Sequence, residues 1–227
     1  MSNSTEKTKR LVGLSIFTAL VVVLQLVATF VKIGAFPVTL TLVPIVVGAA
    51  IYGTKAGAWL GAVFGAVVAV ACATGADPSG SILWNLDPLV TALLCLVKGA
   101  AAGWAAGAIY NLVARSGAAD QQSALVLRSE RAAERSAKRS NVGVACAAVA
   151  SPVVNTGIFC AGLYFFFNDT FNEWMSAWAA DSGNAANPLL YVFLGLAGVN
   201  FVIELALNLV LSPVISRVIY ARRRGVI

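Results

Sequence analysis

The chain has 227 residues, of which 59% are hydrophobic and 11% charged, and its mean hydropathy is +0.83. So apolar a composition cannot be divided between a core and a wetted surface, which excludes a soluble domain and defines a polytopic membrane protein, expected as one integral domain over residues 1–227. The net charge of +6 does not imply nucleic acid, because the basic residues stand between apolar runs, where membrane topology explains them.

There is no histidine, and the four cysteines, Cys72, Cys95, Cys146 and Cys160, are scattered singly through apolar segments. That spacing supports neither a zinc site nor a disulfide framework, so they are expected as small core residues, and no metal or cofactor is expected. A bilayer crossing needs roughly 20 apolar residues, and the fold class expected is all-α with six transmembrane helices and both termini cytoplasmic.

Lys7, Lys9 and Arg10 precede the first span, residues 11–31, and should hold the N-terminus inside. This run is too long for the core of a signal peptide and is expected to be retained. Residues 38–52 form a brief second span in which Pro44, lacking a backbone donor, should introduce a kink. The break Tyr-Gly-Thr-Lys-Ala-Gly follows, where Gly53 and Gly57 permit a tight turn and Lys55 marks the cytoplasmic side. The third span, residues 56–74, repeats Gly57, Gly61 and Gly65 at helical spacing. The fourth, residues 88–114, carries a matching ladder, Gly99, Gly103 and Gly107, so the two should pack backbone to backbone.

Between them, residues 75–87 have two acids and no base and read as an outer loop, with Asp87-Pro88 as N-cap and first helical residue of the fourth span. Residues 115–140 are a hydrophilic cytoplasmic insert whose charge pairs, such as Glu134 with Lys138, suit a solvated helix near the headgroups. The fifth span, residues 142–167, is interrupted at Ser151-Pro152. An outer segment follows in which Trp174 and Trp178 would lay one face of a short helix on the headgroups. The sixth span covers residues 188–214. Of sixteen lysines and arginines, fourteen fall in segments assigned inside.

An ionisable group within a span is costly enough to suggest function. Lys98 lies about 15 Å into the fourth span, near the midplane, and Glu204 about 24 Å into the sixth, at about 1.5 Å per residue. Asn155, Thr156, Asn200 and Asn208 accompany them. Lys98 and Glu204 could simply neutralise each other, with the asparagines as interhelical glue. Alternatively they line a central pocket that offers a cation to an anionic small molecule. The absence of a Walker motif and of a convergent acid, base or nucleophile set argues for binding and against an enzyme.

The proline-led second span ending in Gly-x-Lys-Ala-Gly, Val154-Asn155-Thr156-Gly157 followed by Tyr-Phe-Phe-Phe, and Asn200-x3-Glu204 make the chain resemble a substrate-binding (S) component of an energy-coupling factor (ECF) vitamin transporter, of the pantothenate-type branch. Lys98 stands where that branch is expected to have arginine. The resemblance implies high-affinity capture of a water-soluble vitamin, most closely pantothenate. It also implies partnership with a membrane coupling subunit and two ATPases in a prokaryotic plasma membrane. Folate, riboflavin or another precursor is the alternative, and a stand-alone secondary transporter a more distant one. It further implies Lys98 as partner of the substrate carboxylate, and Asn155, Asn200 and Thr156 as partners of its hydroxyl or amide groups. Trp84 and Asn85 would belong to an outer lid facing a gate at residues 34–41, and Glu204 would orient or accept from substrate. Ser15 and Ala19 would form the small-residue face met by the coupling subunit.

Overall fold

A computed structural model describes residues 3–30, 32–33, 36–37, 41–115 and 130–223. The described residues are almost wholly helical: α1 (Asn3–Phe30), α2 (Leu42–Tyr52), α3 (Thr54–Thr74), α4 (Pro78–Leu86), α5 (Pro88–Arg115), α6 (Glu130–Phe166), α7 (Asn168–Ser182), α8 (Pro188–Leu190), a π-helical turn (Tyr191–Leu196) and α9 (Gly198–Arg223). Two-residue strands, β1 (Lys32–Ile33) and β2 (Phe36–Pro37), pair antiparallel with Lys32 opposite Pro37. Among the described residues, four helical stretches are long and apolar enough to cross a membrane, Lys7–Thr29, Thr54–Thr74, Pro88–Val113 and Ser140–Phe166. A fifth crossing is available if the bent pair Pro188–Leu196 and Phe201–Pro213 counts as one.

The centre of the fold is the crossing of α3 and α5. A Cβ on Gly57 would overlap the carbonyl oxygen of Gly103, one on Gly61 that of Gly99, and one on Gly65 that of Cys95. The helices therefore run antiparallel with their backbones in contact, as the two ladders require. Gly107 closes the series against the backbone of Thr54.

Several expectations need correction. The α2–α3 turn is made by Gly53 alone, at φ +92°, whereas Gly57 lies inside α3 as part of the crossing. Pro44 does not kink the second segment: it stands in the first turn of α2, where its missing N–H has no intrahelical acceptor to lose. At 11 residues, α2 rises about 16 Å, roughly half the hydrocarbon thickness, and it is buried along most of its length.

Residues 75–87 are not merely a loop. Asp77 N-caps α4 by accepting from the Gly80 N–H at 3.2 Å, with Pro78 in the first turn. Asp87 caps α5 as expected, accepting from the Val90 N–H at 3.0 Å, and Asn187 caps α8 in the same way from Leu189 and Leu190. The charged stretch from Glu130 onward continues without a break into the fifth membrane segment, and α6 accommodates Pro152 in its interior. Residues 116–129 of the insert lie outside the described residues.

Trp174 and Trp178 do not simply face headgroups. They pack with Phe171, Met175 and Tyr191, Trp178 lying 5.7 Å from the Tyr191 ring. The last segment bends by 55° between the π-helical turn and α9, where Gly198 adopts φ +36°.

At one end of the bundle, Arg10 Nη2 donates to the Tyr52 carbonyl at 2.8 Å, and Asn111 Nδ2 donates to Thr54 Oγ1 at 3.1 Å. The start of α1, the α2–α3 turn and the end of α5 are thereby gathered together, with Lys55 exposed among them. Asp77 and Asp87 belong to the opposite end.

Candidate functional site

Helical spacing on α5 sets Thr91, Leu94, Cys95 and Lys98 on one face, at i, i+3, i+4 and i+7. All four line a cavity between the helices. Phe64, Val68, Ala71 and Cys72 of α3 form the adjoining wall, and Gln25 and Thr29 of α1 another. Asn155, Thr156 and Phe159 enter from α6, Phe201 and Glu204 from α9, and Asp77 with Leu83 from the α4 region. The cavity encloses about 890 Å³ of non-atom space, open solvent at its mouth included.

Its charges are one ammonium, Lys98, and two carboxylates, Asp77 and Glu204, among the described residues. Lys98 Nζ lies 4.6 Å from the centre of the Phe159 ring, whose negative face holds a cation without neutralising it. Asp77 is 6% exposed and Glu204 4%. Asn208, directly behind, donates from Nδ2 to the Glu204 carbonyl at 2.8 Å. On α1, Gln25 Oε1 accepts from the Thr41 hydroxyl at 2.7 Å, and the Gln25 carbonyl accepts from Thr29. These bonds fix Gln25 and Thr29 at the wall.

Two lining groups have no protein partner. Asn155 Oδ1 and Thr91 Oγ1 are buried and make no hydrogen bond. A buried polar atom left in that state costs roughly 1–3 kcal/mol, a cost that a ligand entering the cavity would relieve.

Four of the seven expected substrate-binding side chains, Lys98, Asn155, Thr156 and Glu204, thus share one cavity. Trp84 is partly buried against the core formed by Leu42, Phe64 and Cys72, and Asn85 is exposed; neither is on the lining. The side chain of Asn200 and most of the expected gate, residues 34–35 and 38–40, lie outside the described residues. Sequence reasoning missed Thr91, Asp77, Gln25 and Thr29. Thr91 was legible, being two turns before Lys98 on the same helical face, and Gln25 is an amide within the first apolar run.

A bundle of apolar helices enclosing a mainly apolar chamber with a few polar and charged groups on its wall fits a membrane-embedded receptor for a small molecule. The chain belongs to the ECF transporter substrate-specific component family, whose profile matches residues 9–216. Members are binding subunits for uptake and not enzymes, and they associate with a module of membrane and ATPase subunits; the protein is accordingly a multi-pass component of the cell membrane. No curated protein matches the chain.

Proposed function

We propose that this subunit captures a small water-soluble vitamin bearing a carboxylate, pantothenate above all, for uptake by an ATP-driven ECF module. The observation that carries the reading is the Lys98 ammonium, held over an aromatic face inside a cavity whose Asn155 oxygen has no protein partner. Lys98 takes the carboxylate, and Asn155, Thr156 and Asn200 take amide and hydroxyl groups. Glu204 orients them or accepts from a hydroxyl. Lysine offers a point charge where arginine would offer a fork, which suits a carboxylate reached from one side. Trp84 and Asn85 act in the outer lid, through the position of α4 and not through direct lining.

The topology that fits is six passes, α2 being a short buried one, with both termini cytoplasmic and the whole chain one domain. It is supported by the gathering of Arg10, Lys55 and the end of α5 at one end of the bundle. Ser15 and Ala19 lie on an exposed α1 face beside Leu11, Val12 and Ile16, open to a coupling subunit.

Calorimetric titration of the purified chain with pantothenate tests the reading. Tight binding is expected, and Lys98→Ala should weaken it about 100-fold or more, since a lone carboxylate in a buried site loses its charged partner. Unchanged affinity in Lys98→Ala would remove Lys98 from the site.

A further inference from the structure

The α3–α5 crossing sets the two ends of the cavity. Gly57 faces Gly103, Gly61 faces Gly99 and Gly65 faces Cys95, so each step along α3 matches an equal step back along α5. The same register sets Lys98 level with Ala62, and Thr91 level with Ala69. The Asp77 N–H bonds to the Ala71 carbonyl at 3.1 Å, which brings the backbone of Asp77 to the Thr91 end. Seven residues of α5 separate Thr91 from Lys98, about 10 Å along the helix.

The chemistry of the two ends is opposite. Lys98 can only donate. An ionised Asp77 can only accept, and its carboxylate has about four acceptor positions. Among the described residues, a single bond to the Asp77 side chain is made, from the Gly80 N–H at 3.2 Å, and no ion pair reaches it. The residue is 94% buried, being 6% exposed, and it lines the cavity. The Thr91 hydroxyl lines the same end of the cavity, 2% exposed and without a partner. A buried carboxylate with one backbone donor has acceptor positions to spare, and a buried hydroxyl with no partner needs one, so both can be served by whatever fills the space.

We propose that Asp77 and Thr91 form a second recognition pole, which selects ligands carrying a hydrogen-donating group at the end remote from their carboxylate. The inference rests on the assignment of Lys98 to the ligand carboxylate and extends it to the opposite end. Pantothenate meets both poles, with a carboxylate at one end and hydroxyls at the other. A ligand ending in an ammonium group would meet them too, and would offset the second carboxylate more fully.

Three probes that share a β-alanine carboxylate and amide separate these cases: pantothenate, its hydroxyl-free counterpart N-(3,3-dimethylbutanoyl)-β-alanine, and β-alanyl-β-alanine, which ends in an ammonium. Affinities are measured by calorimetry for the wild-type chain, Asp77→Asn and Thr91→Val. Asparagine keeps the α4 cap, and valine removes only a hydroxyl that bonds to nothing, so both variants should melt at or above the wild-type temperature. The wild type is expected to prefer a probe with a donor end over the hydroxyl-free one by about 10- to 100-fold, the worth of a hydrogen bond to a charged group. Asp77→Asn should reduce that preference to a few-fold, and Thr91→Val should reduce it in part. Preference for the hydroxyl probe identifies the donor as hydroxyl, and preference for the dipeptide identifies it as ammonium. Equal wild-type affinity for all three, or an unchanged preference in Asp77→Asn, overturns the second pole while leaving Lys98 in place. Failure of all three to bind overturns the carboxylate assignment and the second pole with it.

Discussion

Adding one methyl group at Gly61 should damage the site from a distance. The Cβ of Gly61→Ala would stand 2.7 Å from the Gly99 carbonyl carbon and 3.2 Å from the Ala100 Cα, where ordinary contact begins at 3.4 Å. The carbonyl carbon must therefore retreat by at least 0.7 Å, and the Gly99 oxygen, closer still, demands more. No side-chain rotation relieves an overlap with backbone, so α3 and α5 must separate. The cost of such overpacking is about 1–3 kcal/mol, or roughly 2–12 °C of melting temperature for a chain of this size. Because Phe64 and Cys72 line the cavity from α3, and Thr91 and Lys98 from α5, the same separation widens the site and weakens ligand binding. Gly157→Ala is the control: its added Cβ meets nothing within 4 Å, and alanine is the better helix former. Thermal unfolding in detergent, with and without ligand, reads both variants. If Gly61→Ala melts with the wild type, or Gly157→Ala falls as far as it does, the backbone contact is not what holds the two helices.

Asn155→Leu should bind ligand at least tenfold more weakly yet melt no lower than wild type, because the amide oxygen it removes is buried without a partner; a large drop in unliganded melting temperature would assign Asn155 to interhelical glue instead. Ala19→Leu, on the exposed face of α1, should leave ligand affinity within twofold and reduce co-purification with the coupling subunit and its ATPases. Full recovery of that complex would move the interface elsewhere.

The glycine ladders were legible because a close helix contact needs small residues at one fixed spacing, and few other arrangements of Gly57, Gly61, Gly65, Gly99, Gly103 and Gly107 serve a membrane chain. Lys98 and Glu204 were legible for a similar reason, since charge in an apolar run is costly wherever it points. Asp77 was not. Asp-Pro is an ordinary turn signal, and only the folding of α4 back over the end of α3 converts a loop acid into a buried carboxylate on the cavity wall. Trp174 and Trp178 misled in the opposite sense, because amphipathic spacing is the same for a helix on headgroups and a helix on protein.

The sequence by itself determined the class, the apolar segments, the caps at Asp87-Pro88 and the two helices that meet at the centre. Each follows from local composition or from a spacing of three or four residues. The tertiary structure alone decided that Pro44 begins a helix without bending it, that the last segment breaks through a π-helical turn, and that Asp77 joins Lys98 around one cavity. Those facts depend on which helical face meets which neighbour, and a residue's own surroundings in the chain do not record what lies across a cavity from it.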